Sequence, residues 1–322
     1  MGFMHIMAAV PTVDVHQHLW PEALVAALTW RREPPLLRRS AGGWLLRLRD
    51  EPECAFDHRE HDPGARLGLL ERDGVDRALL AISSPLGIEA LPRAEAEPLL
   101  KAHNNGLLEL GRPFGVWGAV SLRPPLPADV DALLDAGAVG ISLPAGALSG
   151  PEGLDRCQGL LERLEARDAP LFVHPGPGPW RPQAYVESDA HAWWPAMTRY
   201  VADMNAAWHA FVAFGRPRHP RLRVVFALLA GGAPLHAERL GARGGPSEAV
   251  ADAGLFYDTS SYGVRTIDAL VRCVGIDQLV YGSDRPVVGP PPPSLLGPAA
   301  REAMVAANVA RLLRGEAPAV AA

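Results

Sequence analysis

In the segment "VDVHQHLWPE", His16 and His18 stand one residue apart inside an apolar run. An extended strand sends residues i and i+2 to the same face, so both imidazoles point the same way. One buried histidine is easily satisfied by hydrogen bonds. Two on one strand face are harder to satisfy, and a bound metal ion accounts for them as well as packing does. Two further candidates end apolar runs: His174 in "LFVHPG" and Asp284 in "VYGSDRP". Three imidazoles and a carboxylate match the preferences of zinc, with manganese, iron or cobalt as alternatives. If one coordination position is left for water the site is catalytic, because the ion lowers the pKa of that water toward neutrality.

For these four residues to meet, strands must carry them to one place. Strands are expected at 13–19, 77–83, 114–122, 138–146, 170–176, 223–231, 255–261 and 279–286, each a nearly continuous apolar run of the kind found in parallel strands buried on both faces. Helical stretches fall between them; "DPGARLGLLERDG", for example, opens with an Asp-Pro cap and stops at Gly74. This alternation predicts an α/β fold, a (β/α)8 TIM barrel, with residues 1–322 as a single domain. A doubly wound sheet is the alternative, but no G-x-G-x-x-G follows the first strand. In a closed barrel the eighth strand neighbours the first and the fifth lies across the axis. His16, His18, His174 and Asp284 then converge at the C-terminal mouth.

Three segments interrupt the rhythm. Residues 20–62 form an insertion after the first strand, in which "GWLLRLRDEPECAFD" suggests a small hairpin. Residues 176–195 form a lid loop after the fifth strand, and 287–298 follow the eighth. Loops after strands lie on the face of a barrel where active sites sit. The lid carries Trp180, Arg181, Tyr185, Trp193 and Trp194; Trp20 ends the first strand, Arg265 follows the seventh and Arg285 follows Asp284. Aromatic rings with guanidinium groups suit a flat or aromatic acid. Trp20, Trp180, Arg181 and Arg285 are therefore the candidate substrate contacts, the alternative being lid packing and surface ion pairs. Ser83, Ser84, Ser260 and Ser261 could bond a substrate, although turn chemistry explains strand-end serines equally well. Asp258 could orient a ligand histidine or serve its own loop.

Bulk composition excludes some functions. With 31 Lys and Arg against 36 Asp and Glu, the net charge of −5 offers no basic field for nucleic acid or an anionic membrane. Lys101 is the only lysine, so a Schiff-base mechanism would have one candidate. Cys54, Cys157 and Cys273 are far apart and form no C-x-x-C, which suits reduced structural thiols. No apolar stretch reaches membrane-spanning length and the N-terminal segment lacks a positive flank, so a cytoplasmic protein without a membrane partner is expected.

The H-x-H of the first strand, "VHP" on the fifth and "GSDRP" on the eighth resemble the amidohydrolase superfamily. More closely, they resemble its amidohydrolase-related branch, which includes aminocarboxymuconate-semialdehyde decarboxylase and the γ-resorcylate-type decarboxylases. "HPRLRVVFA", "GGAPLHAERL" and "FYDTSS" also fit that branch, and the resemblance covers nearly the whole chain in element order. It implies His16, His18, His174 and Asp284 as metal ligands, a small-molecule substrate and, often, a homodimer. Two-metal members of the superfamily carry a carboxylated lysine on the fourth strand; "VGISLPAG" has none, so one divalent ion, zinc above all or else manganese, is expected. One departure stands out. The family pattern resembles "AHLGG" at the end of the sixth strand, where its histidine polarises or deprotonates water or substrate, whereas this chain reads "ALLAGG" and places Leu228 there. His191 in the lid and His236 after the sixth strand are candidate substitutes, while His209 suits packing. In this superfamily the ligating aspartate, here Asp284, can itself act as a base.

The leading functional expectation is a metal-dependent hydrolase, in which metal-activated water attacks a carbonyl-type carbon of a small organic acid, amide or lactone. The alternative is a non-oxidative, metal-dependent decarboxylase of an aromatic or muconate-like acid, for which the apolar Leu228 would suit loss of CO2 from a desolvated carboxylate. A metal-binding barrel without catalysis is the third reading.

Overall fold

The computed structural model describes residues 10–49, 51–180, 191, 193–289 and 296–314. Among these residues eleven strands follow one another: β1 (Val13–Gln17), β2 (Leu36–Ser40), β3 (Gly43–Arg47), β4 (Cys54–Phe56), β5 (Arg77–Leu80), β6 (Phe114–Ala119), β7 (Gly140–Pro144), β8 (Leu171–His174), β9 (Val224–Phe226), β10 (Leu255–Asp258) and β11 (Leu279–Val280). β1 and β5 to β11 form one parallel sheet, each strand paired with the next in chain order. The two edges meet. The Val15 N–H donates to the Tyr281 carbonyl at 2.9 Å, Asp284 N–H to the His16 carbonyl at 2.8 Å and His18 N–H to the Arg285 carbonyl at 2.7 Å. This seam makes the sheet the expected (β/α)8 barrel and brings the end of β1 beside the chain that leaves β11.

The strands are apolar because both of their faces are covered. Inside, Trp117 and Phe172 stack with centroids 5.3 Å apart, and the Trp117 indole donates to the Val15 carbonyl at 2.9 Å, so the one polar atom of a large buried ring is satisfied. The helix Pro63–Asp73 starts as its sequence signals: the Asp62 carboxylate accepts from Ala65 N–H at 2.6 Å, and Gly74 ends it at φ +63°. A second apolar cluster joins Trp20, Leu24, Leu28 and Leu46 to Ile82 and Leu99, fixing the insertion to the flank of the barrel. Each such buried leucine contributes roughly 1.5–3 kcal/mol.

The insertion is more ordered than a hairpin. β2, β3 and β4 form an antiparallel sheet, and a helix not anticipated from the sequence, Glu22–Thr29, precedes them. The barrel strands are shorter than their apolar runs, because the chain leaves the ladder at the mouth. The expected strand 279–286 is reduced to Leu279–Val280, and the expected strand 223–231 ends at Phe226. Leu228, Leu229, Ala230, Gly231 and Gly232 instead form a left-handed turn with φ of 52°, 48°, 56°, 61° and 75°. Apolar periodicity does not report backbone handedness. Gly231 is needed there, since a Cβ would lie 2.6 Å from the Val201 carbonyl oxygen of the helix Val201–Ala210 packed above. Among the described residues no helix is long and apolar enough to cross a membrane.

Candidate metal centre

β1 carries His16 and, just past its end, His18; β8 ends in His174; Asp284 follows β11 across the seam. All four are buried, and one donor atom from each lies within 4.8 Å of the others. His18 Nε2 is 3.1 Å from His16 Nε2 and 3.2 Å from His174 Nε2, and Asp284 Oδ1 is 3.1 Å from His18 Nε2 and 3.5 Å from His16 Nε2. The three rings stand nearly perpendicular to one another, with centroids 4.9 Å apart.

The other ring nitrogens fix the proton positions. His18 Nδ1 faces the Ala81 carbonyl at 2.9 Å and His174 Nδ1 the Pro175 carbonyl at 2.8 Å. A carbonyl only accepts, so both Nδ1 atoms carry hydrogen. His16 Nδ1 faces the Asp258 carboxylate at 2.6 Å and does the same. In the neutral rings, three Nε2 lone pairs and a carboxylate oxygen are therefore aimed at one buried point, an arrangement that repels itself without a cation. The spacing also fits an ion. Metal–nitrogen bonds of about 2.0–2.1 Å in a tetrahedral site put neighbouring donors roughly 3.3 Å apart.

Electrostatics agree. Burial opposes charge on His16, but Asp258 and Asp284 outweigh it and raise its pKa to about 9. Burial also opposes charge on Asp284, yet His16, His18 and His174 hold it at about 2. Burial and the neighbouring His18 and His16 push His174 well below the usual imidazole range. The centre thus demands positive charge, which a proton on His16 or a metal ion can supply.

A dense frame holds the ligands. Asp258 also accepts from the Leu228 N–H at 3.1 Å and the Ser260 N–H at 3.0 Å. Gly282 allows this approach, since a Cβ there would sit 2.9 Å from both Asp258 Oδ2 and His16 Cβ. Below, Asp14 accepts from His16 N–H, Ser283 N–H and the Gln17 amide at 3.0, 3.1 and 2.7 Å. The buried Arg66 guanidinium bonds Gln17 Oε1 at 2.9 Å and the carbonyls of His18 and Glu60 at 3.0 and 2.7 Å. Asp284 itself sits at φ +57°, and Ser261 Oγ donates to its Oδ2 at 3.3 Å.

The other residues singled out in the sequence fare differently. Trp20 is buried beside the centre; its indole donates to Ser83 Oγ at 3.1 Å and its ring lies near Phe56 and His61. Arg285 is not brought to the centre as a free cation: it forms a bidentate pair with Asp73, with contacts of 2.8 to 3.1 Å. Trp180 turns to the helix Pro151–Ala166, where Arg156 lies 5.0 Å from its ring. His191 is exposed and stacks on Trp193, and His236 is exposed before the short helix Ala237–Gly241. His209 bonds the Asn205 carbonyl of its own helix at 2.9 Å. Lys101 is exposed on the helix Arg93–Leu108, and β7 carries no lysine. Arg181 and Tyr185 lie outside the described residues. The sequence reading missed Glu51, Tyr200 and His61. Tyr200 donates to the Glu51 carboxylate, and both line a cavity of about 270 Å³ with Gly176, Pro177, Arg49 and Arg123. Gly176 and Pro177 follow His174, which places this cavity on the same face as the centre.

No family model matches the sequence, and no curated protein matches it either. Solved structures do match. IDCase of Metarhizium anisopliae in its apo form is 18% identical, with TM-score 0.76 over 96% of this chain and 98% of that one. The 5-carboxyvanillate decarboxylase of Sphingomonas paucimobilis is 18% identical, with TM-score 0.69 over 95% and 99%. The 5-carboxyvanillate decarboxylase of Novosphingobium aromaticivorans with bound manganese is 14% identical, with TM-score 0.71 over 95% and 97%. These three are decarboxylases, an amidohydrolase-like protein of Staphylococcus aureus matches at a similar TM-score of 0.70, and the chain shares their fold over nearly its whole length.

Proposed function

We propose that this chain is a metal-dependent carboxy-lyase that removes CO2, without oxidation, from a small aromatic or similarly unsaturated carboxylic acid. The observation that carries the reading is the convergence of three Nε2 lone pairs and the Asp284 carboxylate on one buried point, inside a fold shared with decarboxylases. This reading replaces the hydrolase expected first. His191 and His236 are both exposed, which leaves Asp284 as the base for either reaction, and the fold shared with decarboxylases favours the carboxy-lyase.

His16, His18, His174 and Asp284 would hold one divalent ion, zinc or manganese. When bound, such an ion supplies a Lewis-acid centre that anchors the substrate's carboxylate and neighbouring oxygen. The protein's own groups do the rest. The buried mouth strips water from the carboxylate. Asp284, ionised at neutral pH, takes a proton from a substrate hydroxyl at Oδ2 and returns it to the carbon that loses CO2. The C–C bond breaks, its electron pair stays on that carbon, and the new C–H bond takes it up.

The test is release of CO2 by metal-loaded protein from hydroxylated aromatic acids, 5-carboxyvanillate among them. Turnover lost in Asp284→Asn is the expected result. No CO2 from any acid, together with hydrolysis of amide or lactone probes, overturns the reading.

A further inference from the structure

We propose that His61 is a substrate-binding residue, a neutral hydrogen-bond donor that holds an anionic oxygen of the substrate at the barrel mouth. The proposal rests on the carboxy-lyase reading of the neighbouring centre and adds a residue to it.

His61 ends the short turn His58–His61 that closes the insertion. The backbone N–H of Trp20, two residues past His18, donates to His61 Nδ1 at 3.1 Å. A nitrogen that accepts carries no hydrogen, so the ring proton belongs on Nε2. Ring orientation is fixed as well: Trp20 and Phe56 lie 5.1 and 5.2 Å from the imidazole, with planes within 23° and 15° of it. Nε2 has no partner among the described residues and is not among the buried unpaired atoms, which leaves an N–H open to a ligand.

The charges around this ring keep it neutral. Burial, then the guanidinium of Arg66 and the imidazole of His18, push its pKa down to about 3 against the weaker opposing pull of Asp57. The bond from the Trp20 N–H, two residues past His18, places His61 beside the centre. A neutral imidazole with Nε2–H offers a hydrogen bond across the whole working range of pH without becoming a proton source, a role known for enzyme histidines that polarise oxygen. Such a donor is wanted here. Arg285, the guanidinium expected to grip the acid, is held by Asp73. A carboxylate or phenolate oxygen is the natural acceptor for the unpaired Nε2–H.

The test uses the metal-loaded full chain with ¹⁵N-labelled histidine, and salicylate as the probe. Nuclear magnetic resonance is expected to show His61 neutral and protonated on Nε2 from pH 5 to 9. His61→Phe keeps a flat ring without the donor and should weaken salicylate binding by about 10- to 100-fold. His61→Gln, whose amide reaches the Nε2 position, should recover part of that loss. Metal content should be unchanged in both variants. The proposal is overturned by an Nδ1–H tautomer, by His61→Phe binding salicylate like wild type, or by wild type binding none. Wild type that binds metal and salicylate, shows the donor effect and yet releases no CO2 from any acid overturns the carboxy-lyase reading alone.

Discussion

His16 donates its Nδ1 proton to Asp258 Oδ2 across 2.6 Å, while Oδ1 of the same carboxylate accepts the backbone N–H of Leu228 at 3.1 Å. One buried group therefore sets the tautomer of a candidate metal ligand and anchors the left-handed turn at Leu228, where the resemblance leads one to expect another histidine. In Asp258→Asn the charge that holds hydrogen on Nδ1 is gone, and His16 can turn its lone pair away from the centre. Metal affinity should fall by about 10- to 100-fold, the usual effect of losing such a partner. Competition with a chromophoric chelator measures it, and unchanged affinity would contradict the assigned role.

The left-handed turn makes a prediction about stability. A Cβ on Gly231 meets the Val201 carbonyl at 2.6 Å and adopts an unfavourable φ, whereas one on Gly232 meets nothing nearer than Leu235 Cδ1 at 3.8 Å. Gly232→Ala should cost only the conformational penalty, about 1–2 kcal/mol. Gly231→Ala should cost distinctly more, because backbone must also move. Urea unfolding of the two variants tests the difference, and equal losses would mean that the contact with the helix above is not what selects glycine.

Glu89 gives a pH dependence. Its carboxyl is buried, Oε1 accepts from Ser84 Oγ at 2.5 Å and Oε2 has no partner. Burial lifts its pKa from 4.5 to about 7. The folded chain therefore holds this proton more tightly than the unfolded chain. Between these two values the folded state binds more protons, so the contribution of Glu89 to stability falls as pH rises, and the full penalty is present above about pH 7. Glu89→Gln removes that penalty. The variant should match wild type near pH 4.5 and exceed it by up to about 3 kcal/mol at pH 8. A stability difference that does not grow between pH 5 and pH 8 would refute the assignment.

Much of this was legible in the sequence, for identifiable reasons. Eight apolar runs suffice to predict the barrel, since parallel strands are covered on both faces, and the period of two in a strand puts His16 and His18 on one side. Adjacency of the first and eighth strands then brings Asp284 to them. What stayed hidden depends on groups with no local signal. The tautomers follow from the carbonyls of Ala81 and Pro175 and from Asp258, each placed by the fold. Arg285 looked free until the end of the helix Pro63–Asp73 supplied Asp73. "ALLAGG" reads as strand by its apolarity, and its paired glycines were the one hint of a turn. His61 lies in an insertion whose docking against the end of the first strand no periodicity reveals; Trp20 and Phe56 bring it there.

The central claim is that His16, His18, His174 and Asp284 hold a single divalent ion. Its most direct test is metal content per chain by elemental mass spectrometry, on wild type and on His174→Ala, each purified without chelators and reconstituted with zinc or manganese. About one ion per wild-type chain is expected, with a near-complete loss in a folded His174→Ala. Two ions per chain, no stoichiometric ion in wild type, or undiminished metal in the variant would contradict it.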